Sequence, residues 1–463
     1  MTTWRSAVDI AAAVRAGQTS ALAVTDAALA RIAWLDPQLG AFTHVCTERA
    51  RNQARAVDAQ CAAGLDPGAL AGVPFAVKNL FDIQGVATLA GSRINAAHPP
   101  ASADAQLIQR MEAAGAVLLG ALNMGEYAYD FTGENAHYGA SRNPHDLTRM
   151  SGGSSGGSGS AAAAGLCPIT LGSDTNGSIR VPSSLCGLFG LKPTYGRLSR
   201  SGTFPFVDSL DHLGPLARTV QDLALAYDAM QYADADDPAC AQRPVEPCLA
   251  SLALGTQGLR IGVLGGYFQQ HATPTAQAAL ARVAAALDAH QPVIWPDVER
   301  ARAAAYLITA AEGGALHRER LRTQAAEFDP AVRDRLLAGN CIPAAWLIQA
   351  HKLRRWFHAQ VLASFQQVDV LLAPATPVSA PLLGQTTLEL NGQHLPLRAN
   401  MGLFTQPISF IGLPVVVAPA AAAGDLPIGV QVIAAPWRED HALRVAAALE
   451  SMGFVAPQPS GLD

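Results

Sequence analysis

Residues 150 to 165 read MSGGSSGGSGSAAAAG. A run so rich in Gly and Ser has the composition of a flexible tether, and a tether would divide the chain into separately packed units. The flanks argue against that reading. Upstream, ENAHYGASRNPHD carries the turn signal Asn143-Pro144. Downstream come a short helical pattern, SAAAAG, with Gly165 as its stop, then the apolar strand CPITLG, then a second polar turn, DTNGSIR. Strand residues so close on either side predict a packed loop. The two Gly-rich turns, joined by one helix and one strand, are expected side by side at one edge of a sheet.

The rest of the chain supports a large α/β core. Half of its 463 residues are apolar and 15% are charged, which excludes disorder. Ile10, Ala13 and Val14 share a helical face that Gly17 ends, and Ser20 opens a second helix ended by Asp36-Pro37. GVPFAVKNLFDI, residues 72–83, reads as a buried strand running into a loop. ADAQLIQRMEAAG reads as an amphipathic helix and AVLLGALNM as the next strand. This alternation to about residue 230 predicts a sheet flanked by helices. From about 230 to 365 the pattern is helix-rich, with GLRIGVLGG as a strand. VDVLLAPATP, LPVVVAPA and PIGVQVIAA return as strands. One domain over 1–463, with a helix-rich insertion at about 230–365, accommodates all of this.

Several function classes drop out. The net charge of −5 is spread along the chain, so no direct nucleic-acid surface is expected. The seven cysteines form no CxxC and match no zinc spacing. No metal is expected, and scattered thiols fit a reducing, cytoplasmic location. The N-terminal residues lack the continuous apolar core of a signal peptide, and no apolar run approaches a membrane span. A P-loop needs a lysine straight after its glycine-rich turn, and none occurs between Lys78 and Lys192. GVLGGYF lacks the spacing of a dinucleotide loop. No cofactor is expected.

A nucleophile loop remains. Glycine lets backbone approach a ligand, and Ser154 and Ser178 supply hydroxyls. A serine nucleophile needs a base, and no histidine lies in a nucleophile-elbow context. Lys78 is the other candidate. A lysine at a strand end usually holds its ammonium in water. Here the neighbours are apolar, and burial lowers a lysine's pKa far enough for it to accept a proton. Spacing alone leaves both readings of Lys78 open.

At this point GVPFAVKNLFD, SGGSSGGS and LGSDTNGSIRVPSSLCGLFGLKPTYGRLS together resemble the amidase signature family of Ser-cisSer-Lys hydrolases. The resemblance takes in the N-terminal helices and the C-terminal strands as well. It implies the amidase signature fold, a central mixed β-sheet flanked by α-helices. It implies Ser178 as the acyl-forming nucleophile, Ser154 after a cis Gly153–Ser154 bond as the bridge, and Lys78 as the base. Backbone N–H groups of Thr175, Asn176, Gly177 and Ser178 are the implied oxyanion hole. Two positions depart from the family's habit. Asn79 follows the lysine where Asp is common, and the nucleophile turn reads Thr-Asn-Gly-Ser where Thr-Gly-Gly-Ser is common.

Within the family, VKNLFDIQGVATLAGSRIN, ENAHYGASRNPHD, SDTNGSIRVPSSLCG and VQVIAAPW look closest to the 1-carboxybiuret hydrolases of bacterial cyanuric-acid catabolism and s-triazine breakdown. That branch implies hydrolysis of a terminal amide on a small urea-like carboxylate, with release of ammonia. It also implies a small helical partner resembling the small subunit of the tRNA-dependent amidotransferase, in a homo-oligomer or heteromer. Arg142, Arg180 and Arg398 are candidates for the substrate's carboxylate, with Arg180 read as structural. The alternatives are the glutaminase subunit of a tRNA-dependent amidotransferase and a non-catalytic scaffold subunit.

Overall fold

The structure, a computed structural model, describes residues 5–462. Its centre is an eleven-stranded mixed sheet. The strands are β1 (Phe42–Val45), β2 (Pro74–Lys78), β3 (Val117–Leu122), β4 (Ile169–Asp174), β5 (Phe189–Lys192), β6 (His212–Ala217), β7 (Ile261–Leu264), β8 (Gln291–Val293), β9 (Val370–Pro374), β10 (Val415–Pro419) and β11 (Gly429–Ala434). Their order is β1-β3-β2-β4-β6-β5-β10-β11-β9-β7-β8. β2 lies parallel to both β3 and β4, whereas β6 is antiparallel to β4 and β5. β2, β4, β10 and β11 are buried along their whole length. Strands covered on both faces carry apolar runs rather than alternation, which is why AVKNL, LPVVV and VQVIA read as strands at all.

Three sequence expectations change. The helix opened by Ser20 does not stop at Asp36-Pro37 but runs over Ala21–Leu39, through Pro37. Pro37 sits in the last turn, and both it and Ala33, whose carbonyl it leaves without a helical partner, are exposed residues, so the missing bond costs little. Gly40, at φ +62°, ends the helix, and the Asp36 carboxylate accepts the N–H of Ala41 at 2.8 Å.

The Gly/Ser run is itself helical. The helix spans Gly156–Ala163 and is buried throughout, four residues earlier than the pattern SAAAAG suggests. Its glycines are there for close backbone approach. A Cβ on Gly157 would lie 2.5 Å from the Ala41 carbonyl oxygen and 2.6 Å from the Asn123 nitrogen. The Gly157 N–H donates to the Asn123 carbonyl at 3.0 Å.

The two Gly-rich turns meet at the carboxyl ends of β2 and β4, and these are interior strands rather than a lateral edge. The C-terminal strands and the middle segment extend the sheet beyond them. That middle segment adds β7 and β8 to the same sheet. It also adds the long helix Val298–Gln324, which packs against Pro330–Gly339 and Ala344–Ser364. The long helix crosses the site and brings Tyr306 and Thr309 to it. Among the described residues, no helix is long and apolar enough to cross a membrane.

Candidate active site

Lys78 is the last residue of β2, and Ser173 is the penultimate residue of the adjacent parallel strand β4. Parallel pairing therefore delivers both to one end of the sheet. Ser154 arrives from the turn before the helix Gly156–Ala163, and the Gly153–Ser154 peptide bond is cis. Lys78 Nζ lies 2.7 Å from Ser154 Oγ and 2.8 Å from Ser173 Oγ. All three side chains are buried. As an ammonium, Lys78 donates to both hydroxyls. As a neutral amine it keeps two hydrogens and one lone pair, so it can accept from Ser154 while still donating to Ser173.

Burial pushes the Lys78 pKa down to about 7, with Asp174, Asp211 and Asp130 pulling the other way. A neutral amine is thus populated near neutral pH. Lys192 is a useful contrast. It is equally buried, and burial and the Arg180 charge lower its pKa too. Its Nζ donates to the Pro193 carbonyl rather than to a serine. Burial alone does not single out Lys78; its two serine neighbours do.

The turn after β4 carries Thr175, Asn176, Gly177 and Ser178. The carbonyls of Asp174, Asn176, Gly177 and Ser178 all accept hydrogen bonds from the protein. The Asp174 carbonyl accepts from His212 Nδ1 at 3.0 Å, that of Asn176 from Thr405 Oγ1 at 2.6 Å, and that of Gly177 from the Val181 N–H at 2.7 Å. The Ser178 carbonyl accepts from the Ser155 N–H at 3.3 Å, which ties this turn to the one holding Ser154. Gly177 has φ +141°, and a Cβ there would lie 2.2 Å from Thr405 Oγ1. Thr175 Oγ1 donates to Asp211 at 2.6 Å.

A buried ion pair anchors the turn from below. Arg180 Nε donates to Asp174 Oδ2 at 3.0 Å and its Nη2 to Oδ1 at 3.0 Å, both side chains being fully buried. Burial acts to raise the Asp174 pKa, but the Arg180 guanidinium overrides it and holds the carboxyl far below the usual range. Arg180 also donates to the Thr405 carbonyl and to Gln431. Every direction of its guanidinium is committed to the protein, in keeping with a structural role.

Ser178 opens into a small cavity shared with Tyr129, Asp130, Asn176, Thr309, Arg335 and Arg398. Arg398 bonds Asp130 at 2.5 Å and Glu134 at 3.1 Å, and its side chain is 30% exposed. Arg142 is elsewhere. It is exposed on the hairpin 142–150, donating to the Leu147 carbonyl at 2.8 Å. Asn79 is tied into the scaffold, donating to Thr43 at 3.1 Å and accepting from the Gly91 N–H at 3.0 Å.

Sequence reasoning missed four contributors. Ser173 stands in the quoted LGSDTNG, and β-alternation from Asp174 would have placed it beside Lys78. Asp211, Thr309 and Arg335 lie in segments with no motif. Among the described residues no cluster of His, Cys, Asp and Glu fits a metal ion.

The chain also resembles known proteins along nearly its whole length. The family model described as Amidase matches residues 23–443. The chain is 55% identical over 449 residues to AtzE of Pseudomonas sp. (strain ADP), a component of 1-carboxybiuret hydrolase, covering 96% of this chain and 98% of the relative. It is 38% identical to the A component of the glutamyl-tRNA(Gln) amidotransferase of Roseiflexus sp. (strain RS-1), over 96% and 95% of the two chains. A solved structure of an s-triazine catabolic enzyme, described as an unexpected vestigial protein complex, superposes with a TM-score of 0.96 at 54% identity. It covers 98% of this chain and all of that one.

Proposed function

The chain belongs to the amidase family and is an amidase, and from that premise we propose that it hydrolyses a terminal C–N bond of a small, carboxylated, urea-like amide of the 1-carboxybiuret type. Nucleophilic attack is assigned to Ser178. Its Oγ forms a bond to the substrate carbonyl carbon while its proton passes to Ser154, whose own proton passes to neutral Lys78. The N–H groups of Thr175 to Ser178 hold the oxyanion, each such donor contributing about 3–4 kcal/mol. The C–N bond then breaks, and Lys78 returns the proton through Ser154 to the leaving nitrogen, giving ammonia. Water repeats the sequence on the acyl-enzyme and releases the acid. The observation that carries this reading is Lys78 Nζ, fully buried, 2.7 Å from Ser154 Oγ.

The substrate's carboxylate calls for a cation, and Arg398 and Arg335 line the cavity. The competing reading, a glutaminase subunit of a tRNA-dependent amidotransferase, is favoured by the 38% relatives. Ammonia release from 1-carboxybiuret and from glutamine, assayed side by side, separates the two. Turnover of glutamine alone would overturn the first.

Residues 1–463 act as one domain with 230–365 inserted, a view supported by β7 and β8 joining the central sheet. A cytoplasmic location suits seven cysteines that are all unpaired. The partner is a small helical protein resembling the small subunit of the tRNA-dependent amidotransferase. In support, the helix Ala344–Ser364 exposes Trp346, Ile348 and Trp356. That helix contains Lys352, Arg354 and Arg355 and no acidic residue. Co-expression with such a neighbour, followed by sedimentation, tests this. An active, stable monomer would contradict it.

A further inference from the structure

The mechanism uses the backbone of Asn176 and leaves its side chain unexplained. That side chain belongs to a residue only 6% exposed, and it lines the Ser178 cavity. Its two amide atoms have different surroundings. Nδ2 donates to Thr309 Oγ1 at 2.9 Å. The Thr309 hydroxyl in turn donates to the Ala305 carbonyl at 2.8 Å, one turn earlier on the same helix. Its only hydrogen is therefore spent, so Thr309 accepts from Asn176 and does not donate to it. This fixes which end of the amide is nitrogen.

Asn176 Oδ1 is buried and meets no donor among the described residues. The nearest guanidiniums are engaged elsewhere. Arg398 pairs with Asp130 and Glu134, and Arg335 donates to the Tyr129 and Ala331 carbonyls. A buried acceptor without a donor is rare in native proteins and costly. At the wall of a ligand cavity it is a place for a ligand's hydrogen.

We propose that Asn176 Oδ1 accepts an N–H from the terminal amide of the bound substrate and so selects amides and ureas over oxygen esters of similar shape. An ester oxygen carries no hydrogen and sets lone pairs against Oδ1. Thr309 is the positioning residue that keeps Oδ1 turned toward the ligand. A glycine at position 176 would preserve the backbone donors and lose this selection. The inference rests on the amidase reading for one thing, that the Ser178 cavity seats the substrate.

The test measures binding and needs no turnover. The full chain carrying Ser178→Ala is titrated by calorimetry with N-carbamoylglycine and with N-methoxycarbonylglycine. Both have a carboxylate and a carbonyl; one ends in –NH2 and the other in –OCH3. The expected result is tighter binding of the ureido ligand by about tenfold or more. Adding Asn176→Ala should bring the ratio to within about twofold. Adding Thr309→Val should move it in the same direction by less, and this variant keeps the test open if Asn176→Ala fails to fold. A ratio unchanged by both substitutions overturns the proposal, as does equal binding with Asn176 in place or no binding of either ligand. Failure of the amidase reading shows separately, as no ammonia from the wild-type chain with binding selectivity intact.

Discussion

Lys78 Nζ sits between two serine hydroxyls, 2.7 Å from Ser154 and 2.8 Å from Ser173, and all three side chains are buried. Two hydroxyl partners satisfy a neutral amine as well as an ammonium, and burial favours the neutral form. Lys78→Ala should therefore lower kcat/KM on the order of 10⁴-fold while leaving the fold intact. Lys78→Arg should be as inactive, because a guanidinium stays protonated at every working pH. For the wild-type chain, kcat/KM should rise with pH through about 7 as the ammonium loses its proton. An active Lys78→Arg chain with an unchanged pH profile would show that another group is the base.

The same lysine sets a pH dependence of stability. Its pKa is about 7 when folded and near 10.4 in the unfolded chain. Between those values the unfolded state binds more protons than the folded state, so stability rises with pH across that window. Below about 7 both states are protonated, and the folded chain bears the whole cost of a buried ammonium. Lys78→Met removes that cost. Its Tm should exceed the wild-type Tm at pH 6, with the gap shrinking as the pH approaches 10. A gap that is constant or grows with pH would mean that the lysine is charged throughout.

What the sequence revealed, and what it hid, follows from how far apart the partners lie along the chain. Lys78, Ser154 and Ser178 stand in short runs whose composition is unusual for their place, and their strands are apolar because both faces are covered. Thr309 and Arg335 reach the same cavity from helical segments more than 100 residues downstream, where residue type carries no local signal. The helix within GGSGSAAA was hidden for another reason. Glycine is a poor helix former, and close approaches such as that of Gly157 to the Ala41 and Asn123 backbone explain its presence there. Pro37 misled in the same way, since a proline in an exposed last turn costs little.

Gly177 is where backbone conformation and space agree. Its φ of +141° is one that residues with a side chain rarely adopt, and an added Cβ would lie 2.2 Å from Thr405 Oγ1. Gly177→Ala should shift the turn and misdirect its N–H donors. A loss of about 10²- to 10³-fold in kcat is expected, the size of losing one oxyanion donor. Combining it with Thr405→Ala should recover only part of the loss, because the clash is eased and the φ is not. Full recovery in the double variant would mean that space alone matters.

Arg335 and Arg398 make separable predictions about the substrate's charge. Arg398 is held by Asp130 and Glu134 and is partly exposed. Arg335 lies against the Tyr129 ring, 3.8 Å from its centroid, and donates to the Tyr129 carbonyl. A bidentate guanidinium–carboxylate contact in such a cavity contributes binding that is shared by ground state and transition state. Arg398→Gln should then raise KM for a carboxylated amide about tenfold or more with a smaller change in kcat. Against an uncharged amide such as propionamide the same variant should lose little. Arg335→Gln should show the same split if its guanidinium also reaches the carboxylate, and a uniform loss on both substrates if it serves only to hold Tyr129. Equal losses on charged and uncharged amides for both variants would remove the arginines from recognition of the substrate's carboxylate.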